Sequence, residues 1–245
     1  MIALFGSKGF VGSEILKSLK SRNYEVFEIT RDNFEESLRL DEEFDYIINA
    51  SCPGARFEAN LYPKKDFKEC VEKTARIFYE TKFKKFIQIS SLSARCQPEI
   101  PYGRHRLAAE SLVNDGKSLI VRLGPMYGPT LKRGVLMDML NNSKVYASKK
   151  SRYAFSPLSF NANWIADNLD KKGILEVGAK NSIELGILAK KLGLNLEFGG
   201  KEDYQEIKTI EENYPDVNLV IDFMKNHEKY KKQNGKKSCN NYFNL

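Results

Sequence analysis

Two hydroxyls and a cation stand at spacings that suit proton transfer to a carbonyl oxygen. The strand expected over 85–89 ends in Ser90-Ser91, Tyr102 follows eleven residues after Ser91, and Arg106 comes four residues after the tyrosine. A serine at a strand end and a tyrosine opening the next helix can converge on one oxygen. The phenol then donates its proton while the serine donates a hydrogen bond, as general acid–base catalysis requires. A cation four residues on shares the tyrosine's helical face, where its charge stabilises phenolate. Each residue alone has an ordinary use: a strand-end serine commonly makes a turn. Their order carries the argument. Arg104 and His105 project in other directions around the helix and are expected at the surface or beside a substrate.

A second chemical group opens the chain. Residues 2–5 are apolar throughout, as suits a strand buried on both faces of a parallel sheet. The turn Gly6-Ser7-Lys8-Gly9-Phe10-Val11-Gly12 follows, and residues 13–20 continue at helical spacing. Gly6 permits a tight turn, Gly9 lets backbone amides approach a pyrophosphate, and Gly12 allows close helix–strand packing. The helix start then offers unpaired amides and positive dipole charge to phosphates. With strand before and helix after, the glycines indicate a dinucleotide site. Residues 24–29 form the expected second strand, ending at Thr30-Arg31-Asp32. At that point an acid binds the ribose of NAD, whereas an arginine accommodates the extra phosphate of NADP. Arg31 favours NADP through bidentate phosphate pairing, with Asp32 left for ribose hydroxyls. Residues 45–50 read as the next strand, which delivers Asn49, Ala50, Ser51, Cys52 and Pro53 to the sheet's C-terminal edge.

These motifs resemble those of the extended short-chain dehydrogenase/reductase family, in its nucleotide-sugar epimerase and dTDP-4-dehydrorhamnose reductase-like branch. The likeness rests on Gly6-x-x-Gly9-x-x-Gly12, Asn49-Ala50-Ser51, Ser90-Ser91, Tyr102-x-x-x-Arg106 and residues 121–129, roughly the first half of the chain. It implies that Tyr102 is the catalytic tyrosine, that Ser91 is its hydroxyl partner, and that Gly124, Pro125 and Met126 lie by the nicotinamide. The family's usual lysine is Arg106 here, which keeps the charge but not the compact ammonium. Leu92-Ser93 stands where the family's dehydratases carry an Asp-Glu pair, so dehydration is not expected. The resemblance, with Arg31, implies NADPH-dependent reduction of the 4-keto group of a nucleotide-linked deoxysugar. Two alternatives are an epimerase holding NAD and a cofactor-binding regulatory protein with weak turnover.

The elements needed to position these residues follow from the rest of the chain. The expected fold is α/β: a Rossmann-type doubly wound parallel sheet with a small C-terminal substrate-binding lobe. Residues 1–130 would form the NADP-binding part, 131–230 an interleaved lobe and 231–245 a flexible tail, lysine-rich and polar. Residues 64–80 and 107–113 have helical patterning, and 118–123 is read as the strand that closes the main sheet. Residues 130–140 and 161–169 read as helices, 174–178 as a lobe strand and 182–192 as the helix after it. Around 144–153 the chain is basic with aromatics, so Arg152 and Tyr153, with Cys52, Pro53 and Ser91, are candidate substrate contacts.

At 245 residues, a net charge of +7 suits an anionic small-molecule substrate. No basic helix or aromatic platform points to nucleic acid. The four cysteines, Cys52, Cys70, Cys96 and Cys239, form no C-x-x-C pair, which argues for reduced thiols in a cytoplasm and against a zinc site. No run is long enough for a membrane span, and the first strand leaves no room for a signal peptide. A homodimer is compatible with the reading.

Overall fold

The computed structural model describes residues 1–227. The tail expected over 231–245, and Cys239 within it, lie outside them. The first half runs β1 (Ile2–Phe5), α1 (Phe10–Lys20), β2 (Val26–Ile29), α2 (Phe34–Ser37), β3 (Glu43–Asn49), α3 (Arg56–Leu61) and α4 (Pro63–Phe67). A π-helical turn, Lys68–Glu72, carries the chain from α4 into α5 (Lys73–Glu80). Then come β4 (Lys82–Ser91), α6 (Ser93–Cys96), α7 (Pro101–Val113) and β5 (Leu119–Leu123).

The second half is made of shorter pieces: β6 (Met126–Tyr127), α8 (Val135–Leu140), β7 (Val145–Ala147), β8 (Arg152–Tyr153), β9 (Ser156–Pro157), α9 (Leu158–Asp167) and β10 (Gly173–Val177). They continue as β11 (Ile183–Glu184), α10 (Leu185–Leu192), β12 (Phe198–Lys201) and β13 (Tyr204–Gln205), and residues 219–227 are helical.

Six strands form one parallel sheet in the order β10-β5-β4-β3-β1-β2. The chain moves outward from β1 to β2, then crosses back to place β3 on the other side of β1. That reversal leaves a crevice at the C-terminal ends of β1 and β3, the switch point where doubly wound folds bind ligands.

The alternation within β1 accounts for its unbroken apolar run. Ile2 and Leu4 face a core shared with Ile15 and Leu19 of α1 and Trp164 and Ile165 of α9. Ala3 and Phe5 face the opposite core, with Ile77 of α5 and Val113 of α7. A third core, including Tyr127, Leu136, Phe155, Leu185 and Leu188, lies within the second half.

The main sheet does not close with residues 118–123. Gly173–Val177, expected in the lobe, pairs in parallel register with Leu119–Leu123 as the sheet's edge strand. The chain leaves the sheet after β5, builds α8 to β9 outside it, and returns through α9. That helix is tied to α1 by Arg22, which donates to both carboxylate oxygens of Asp167 at 2.7 and 2.8 Å. The helix expected over 130–140 starts only at Val135, because Gly134 takes a positive φ of 99° just before it.

Candidate active site

The glycine turn is built for close approach. Gly6 has φ +82°, and a Cβ there would lie 2.7 Å from the Ala50 carbonyl oxygen and 2.8 Å from Ser51 Cα. The turn after β1 and the segment leaving β3 are therefore in backbone contact across the crevice. A Cβ on Gly12 would fall 2.1 Å from the Gly6 carbonyl oxygen, so α1 can start beside its own turn only with glycine there. Ser7 is buried, with its hydroxyl turned to the Ile29 carbonyl at 3.5 Å, while Lys8 and Gly9 are exposed. Gly9 is the N-cap of α1 and offers no side chain to the first-turn amides of Phe10, Val11 and Gly12. Those amides are free for an anion. A diphosphate fits this cradle.

Beyond β2, Arg31 and Asp32 are both exposed. Asp32 makes a 3.7 Å ion pair with Lys8 of the glycine turn, which brings the second strand's end over the cradle. Asn33 ties that corner down, accepting from the Thr30 amide at 2.7 Å and donating to the Glu28 carbonyl at 3.1 Å.

Past β3 the polar groups turn inward. Asn49 is fully buried and donates to Thr74 Oγ1 at 3.1 Å and Gln88 Oε1 at 3.0 Å. Its own Oδ1 accepts from the Ser51 hydroxyl at 2.7 Å. Cys52 follows, with Gln88 Nε2 3.6 Å from its sulfur. The Cys52 thiol donates to the Cys70 carbonyl at 3.9 Å, and its surroundings, the Cys70 side chain first and then the charge of Arg106, Thr74 and Gln88, draw it down to about 6 against the cost of burial.

Strand β4 delivers the two serines to different jobs. Ser90 is buried and donates to Glu110 Oε1 at 2.5 Å, and Arg122 holds the same carboxylate at 2.6 Å. Ser91 Oγ accepts from the Ser93 amide at 3.2 Å, which leaves its own proton to give.

The tyrosine helix is pressed against the next turn. A Cβ on Gly103 would lie 2.0 Å from the Gln97 carbonyl oxygen and 2.4 Å from that of Ser93. Tyr102 is 8% exposed, and among the described residues its hydroxyl makes no hydrogen bond. Its backbone amide points to Asn60 Oδ1 at 3.4 Å. Arg106 is buried, donates to the Pro53 carbonyl and lies over the Tyr102 ring, 4.9 Å from its centroid. Burial opposes its charge, but Tyr102, Cys70, Cys52 and Asp66 around it raise its pKa on balance.

His105 is not a surface or substrate-side residue: it is buried, with Nδ1 2.8 Å from Asp66 Oδ2 and its ring edge-on to Phe67. It faces α4, which covers that side of α7, whereas Arg104 is exposed as expected.

Gly124 and Pro125 are held between the sheet and the second half. The Gly124 amide donates to Val177 at 2.8 Å, the Pro125 carbonyl accepts from Ser156 at 3.0 Å, and Met126 opens β6. Arg152 reaches Ser182 Oγ at 3.1 Å and Glu206 Oε1 at 3.2 Å. Tyr153 and Phe155 are buried. The Tyr153 hydroxyl donates to Asp203 Oδ2 at 2.6 Å and accepts from Arg56 at 3.3 Å. Arg56 also donates to Asp203 and to Gln97, each at 2.8 Å. Burial and the facing Asp203 push the Tyr153 phenol up, against the charge of Arg56.

This Arg56–Asp203 network joins the segment after β3, the turn before the tyrosine helix and the second half. The sequence reading missed it, since its members lie up to 147 positions apart and share no motif. Gly103 was legible in principle, as a glycine beside the tyrosine in a helix that would otherwise avoid it.

Switch-point crevice, phosphate cradle and a tyrosine-bearing helix define a dinucleotide-binding α/β protein. The chain belongs to the NAD dependent epimerase/dehydratase family, whose model matches residues 2–150. A search of curated proteins found none that matches. Among solved structures the chain is similar to an NAD-dependent NDP-hexosamine 5,6-dehydratase involved in tunicamycin biosynthesis, with TM-score 0.78, 12% identity and coverage of 93% of this chain and 97% of that one. It is also similar to the dTDP-4-dehydrorhamnose reductase of Bacillus anthracis in complex with NADP, with TM-score 0.74, 13% identity, and 91% and 96% coverage. The UDP-glucose 4-epimerase of Thermotoga maritima with UDP-glucose gives TM-score 0.72 at 15% identity over 95% and 99% of the two chains. At these identities the likeness is one of fold. Among the described residues, no helix is long and apolar enough to cross a membrane.

Proposed function

We propose that the chain is an NADPH-dependent reductase of the 4-keto group of a nucleotide-linked deoxysugar. The observation that carries this reading is the Tyr102 hydroxyl, which has no internal hydrogen bond among the described residues and lies beside a buried cation on a helix packed against the turn that follows Ser91. NADPH, when bound, supplies the hydride. The turn from Gly6 to Gly12 holds its diphosphate through backbone amides and the helix dipole. Arg31 engages the 2′-phosphate and Asp32 the ribose, while Ala50, Ser51 and Gly124 to Met126 border the nicotinamide end and Asn49, fully buried, holds Ser51 rather than the cofactor.

Tyr102 gives its phenolic proton to the carbonyl oxygen as that oxygen gains electrons, and Ser91 donates a hydrogen bond to the same atom. Arg106 stabilises the resulting phenolate from beside the ring. Arg152, with Cys52 and Pro53, borders the substrate, whereas Tyr153 is buried and spends its hydroxyl on Asp203 and Arg56. Purified protein incubated with NADPH and a 4-keto-6-deoxy nucleotide sugar is expected to consume the reduced cofactor, followed by its absorbance. Tyr102→Phe is expected to lose at least about 100-fold of that turnover, the low end for a general acid, with cofactor affinity retained. No consumption with any common nucleotide carrier refutes the reductase reading.

One observation favours a second reading, a cofactor-binding protein with weak turnover. Arg106 spends a hydrogen bond on Pro53 and covers the ring face. Arg106→Lys raises turnover under the first reading and leaves it unchanged under the second. Co-purification of NAD rather than NADP would instead support an epimerase.

A further inference from the structure

The outer side of α3 carries apolar side chains that no part of the site uses. Its inner side is committed: Ala59 is buried, Arg56 reaches Gln97 and Asp203, and Asn60 faces the Tyr102 amide. Outward, Phe57 is 74% exposed and Leu61 55%, four residues apart and so on one face. Tyr62, directly after them, is 62% exposed. Single exposed apolar residues are ordinary, but three large ones within residues 57–62 make a patch, and such patches mark interaction sites.

The surface beside this patch is basic. Pro63 starts α4, and Lys64, Lys65 and, in the π-helical turn, Lys68 are all exposed. Arg104 is exposed on α7, which meets α4 through His105 and Asp66. Among the described residues none of these cations makes an ion pair. Nearby carboxylates are already taken, Glu58 by Arg133 at 2.8 Å, Asp66 by His105 and Glu69 by Lys73, and of the stretch 58–72 only Glu72 stays open.

We propose that α3 and the start of α4 dock on an anionic phospholipid bilayer. Phe57, Leu61 and Tyr62 enter the interface, and Lys64, Lys65 and Lys68 meet the headgroup phosphates. Apolar and aromatic side chains beside lysines are what an interfacial segment needs, since the first bury at the acyl boundary and the second answer the negative surface.

Charge and area select this occupant over two others. A second copy related by a two-fold axis would set the unpaired lysines of α4 near their own copies, like charge on like. An acidic protein would answer the lysines, but three side chains on a six-residue helix supply far less than the roughly 800 Å² that a stable contact takes from each partner. A bilayer meets both demands, because it is negative throughout and admits a few side chains at depth. The helix that meets lipid on its outer side holds Asp203 and the Tyr102 turn through its inner side, so the crevice is presented at the bilayer surface.

The test needs neither cofactor nor substrate, so its result is separate from that of the reductase reading. Full-length protein is sedimented with vesicles of phosphatidylcholine alone and of phosphatidylcholine mixed with phosphatidylglycerol. Binding is expected to the mixed vesicles only, and to weaken as salt rises. The double variant Phe57→Ser, Leu61→Ser is expected to bind them about 10-fold or more weakly, the worth of burying at least one such side chain. Lys64→Gln and Lys65→Gln are each expected to cost about 5-fold, the share of one lysine at an anionic surface. All these positions are exposed, so the variants should melt with the wild type. The lysines of residues 229–237 are present in every variant. A double variant that sediments as well as the wild type therefore assigns binding to other cations and overturns the proposal. So does equal binding to neutral vesicles, no binding to the mixed ones, or a wild-type dimer in solution that the double variant abolishes.

Discussion

Gly103→Ala is the sharpest test of how the site is assembled. In an unobstructed helix interior this change gains about 1 kcal/mol, because alanine loses less conformational entropy than glycine. Here the added carbon would lie 2.0 Å from the Gln97 carbonyl oxygen, about 1.4 Å short of ordinary contact, and 2.4 Å from that of Ser93. Both obstacles are backbone, so neither can swing aside, and α7 must move away from the α6 turn. Overpacking of this kind costs about 1–3 kcal/mol and occasionally more. Against the propensity gain we expect a net loss of about 2 kcal/mol, which lowers Tm by about 5 °C for a chain of this size.

The neighbouring Tyr102 moves with the helix. A misplacement of about 1 Å costs roughly 100-fold in turnover. Cofactor affinity should stay within a few-fold, since the glycine turn and β2 are not displaced. Thermal denaturation, cofactor titration and NADPH oxidation on the one variant separate these effects. Gly54→Ala is the control, because nothing lies within 4 Å of its Cβ. A Gly103→Ala protein as stable as the wild type, with full turnover, refutes the packing argument.

Three further outcomes are expected. Arg31→Ala should weaken NADP binding by about 10-fold or more, the loss of a hydrogen bond to a charged group, and leave NAD binding unchanged in the same titration. Asp203→Asn removes the charge that Arg56, Tyr153, Gln97 and Gln205 all address. It should cost about 2 kcal/mol in urea denaturation, with turnover falling as the second half loosens from the turn before Tyr102. Finally, Cys52 is held at about 6 when folded, below its ordinary value of 9.0. Its contribution to stability is complete above that ordinary value and disappears as pH falls through the folded one. The stability difference between wild type and Cys52→Ser should therefore grow from pH 6 to pH 9, and a flat difference would contradict the assignment.

Much of the frame was legible from local pattern. The glycines at 6, 9 and 12, with a fully apolar strand before them, identify a cradle because each glycine answers to a backbone contact made within a few residues. The Tyr102–Arg106 spacing is equally local, four residues on one helix. What the pattern did not reveal is where the side chains turn. Arg106 sits over the Tyr102 ring because Pro53, from a different strand's loop, accepts its hydrogen bond. His105 is buried because Asp66 on α4 meets it. Ser90 and Ser91 are neighbours in sequence, but the pleat sends Ser90 to Glu110 and leaves Ser91 with a proton to give.

By itself, then, the sequence determined the main strands and helices of the first half, the phosphate turn, and the tyrosine–cation pair, since these depend on contacts near in the chain. Tertiary structure alone decided that Gly173–Val177 completes the main sheet rather than the lobe. It also decided that Arg56 and Asp203 meet across 147 positions, and that the Cys52 thiol meets the Cys70 carbonyl. Such meetings follow from how separate elements pack on the sheet, and no local spacing encodes them.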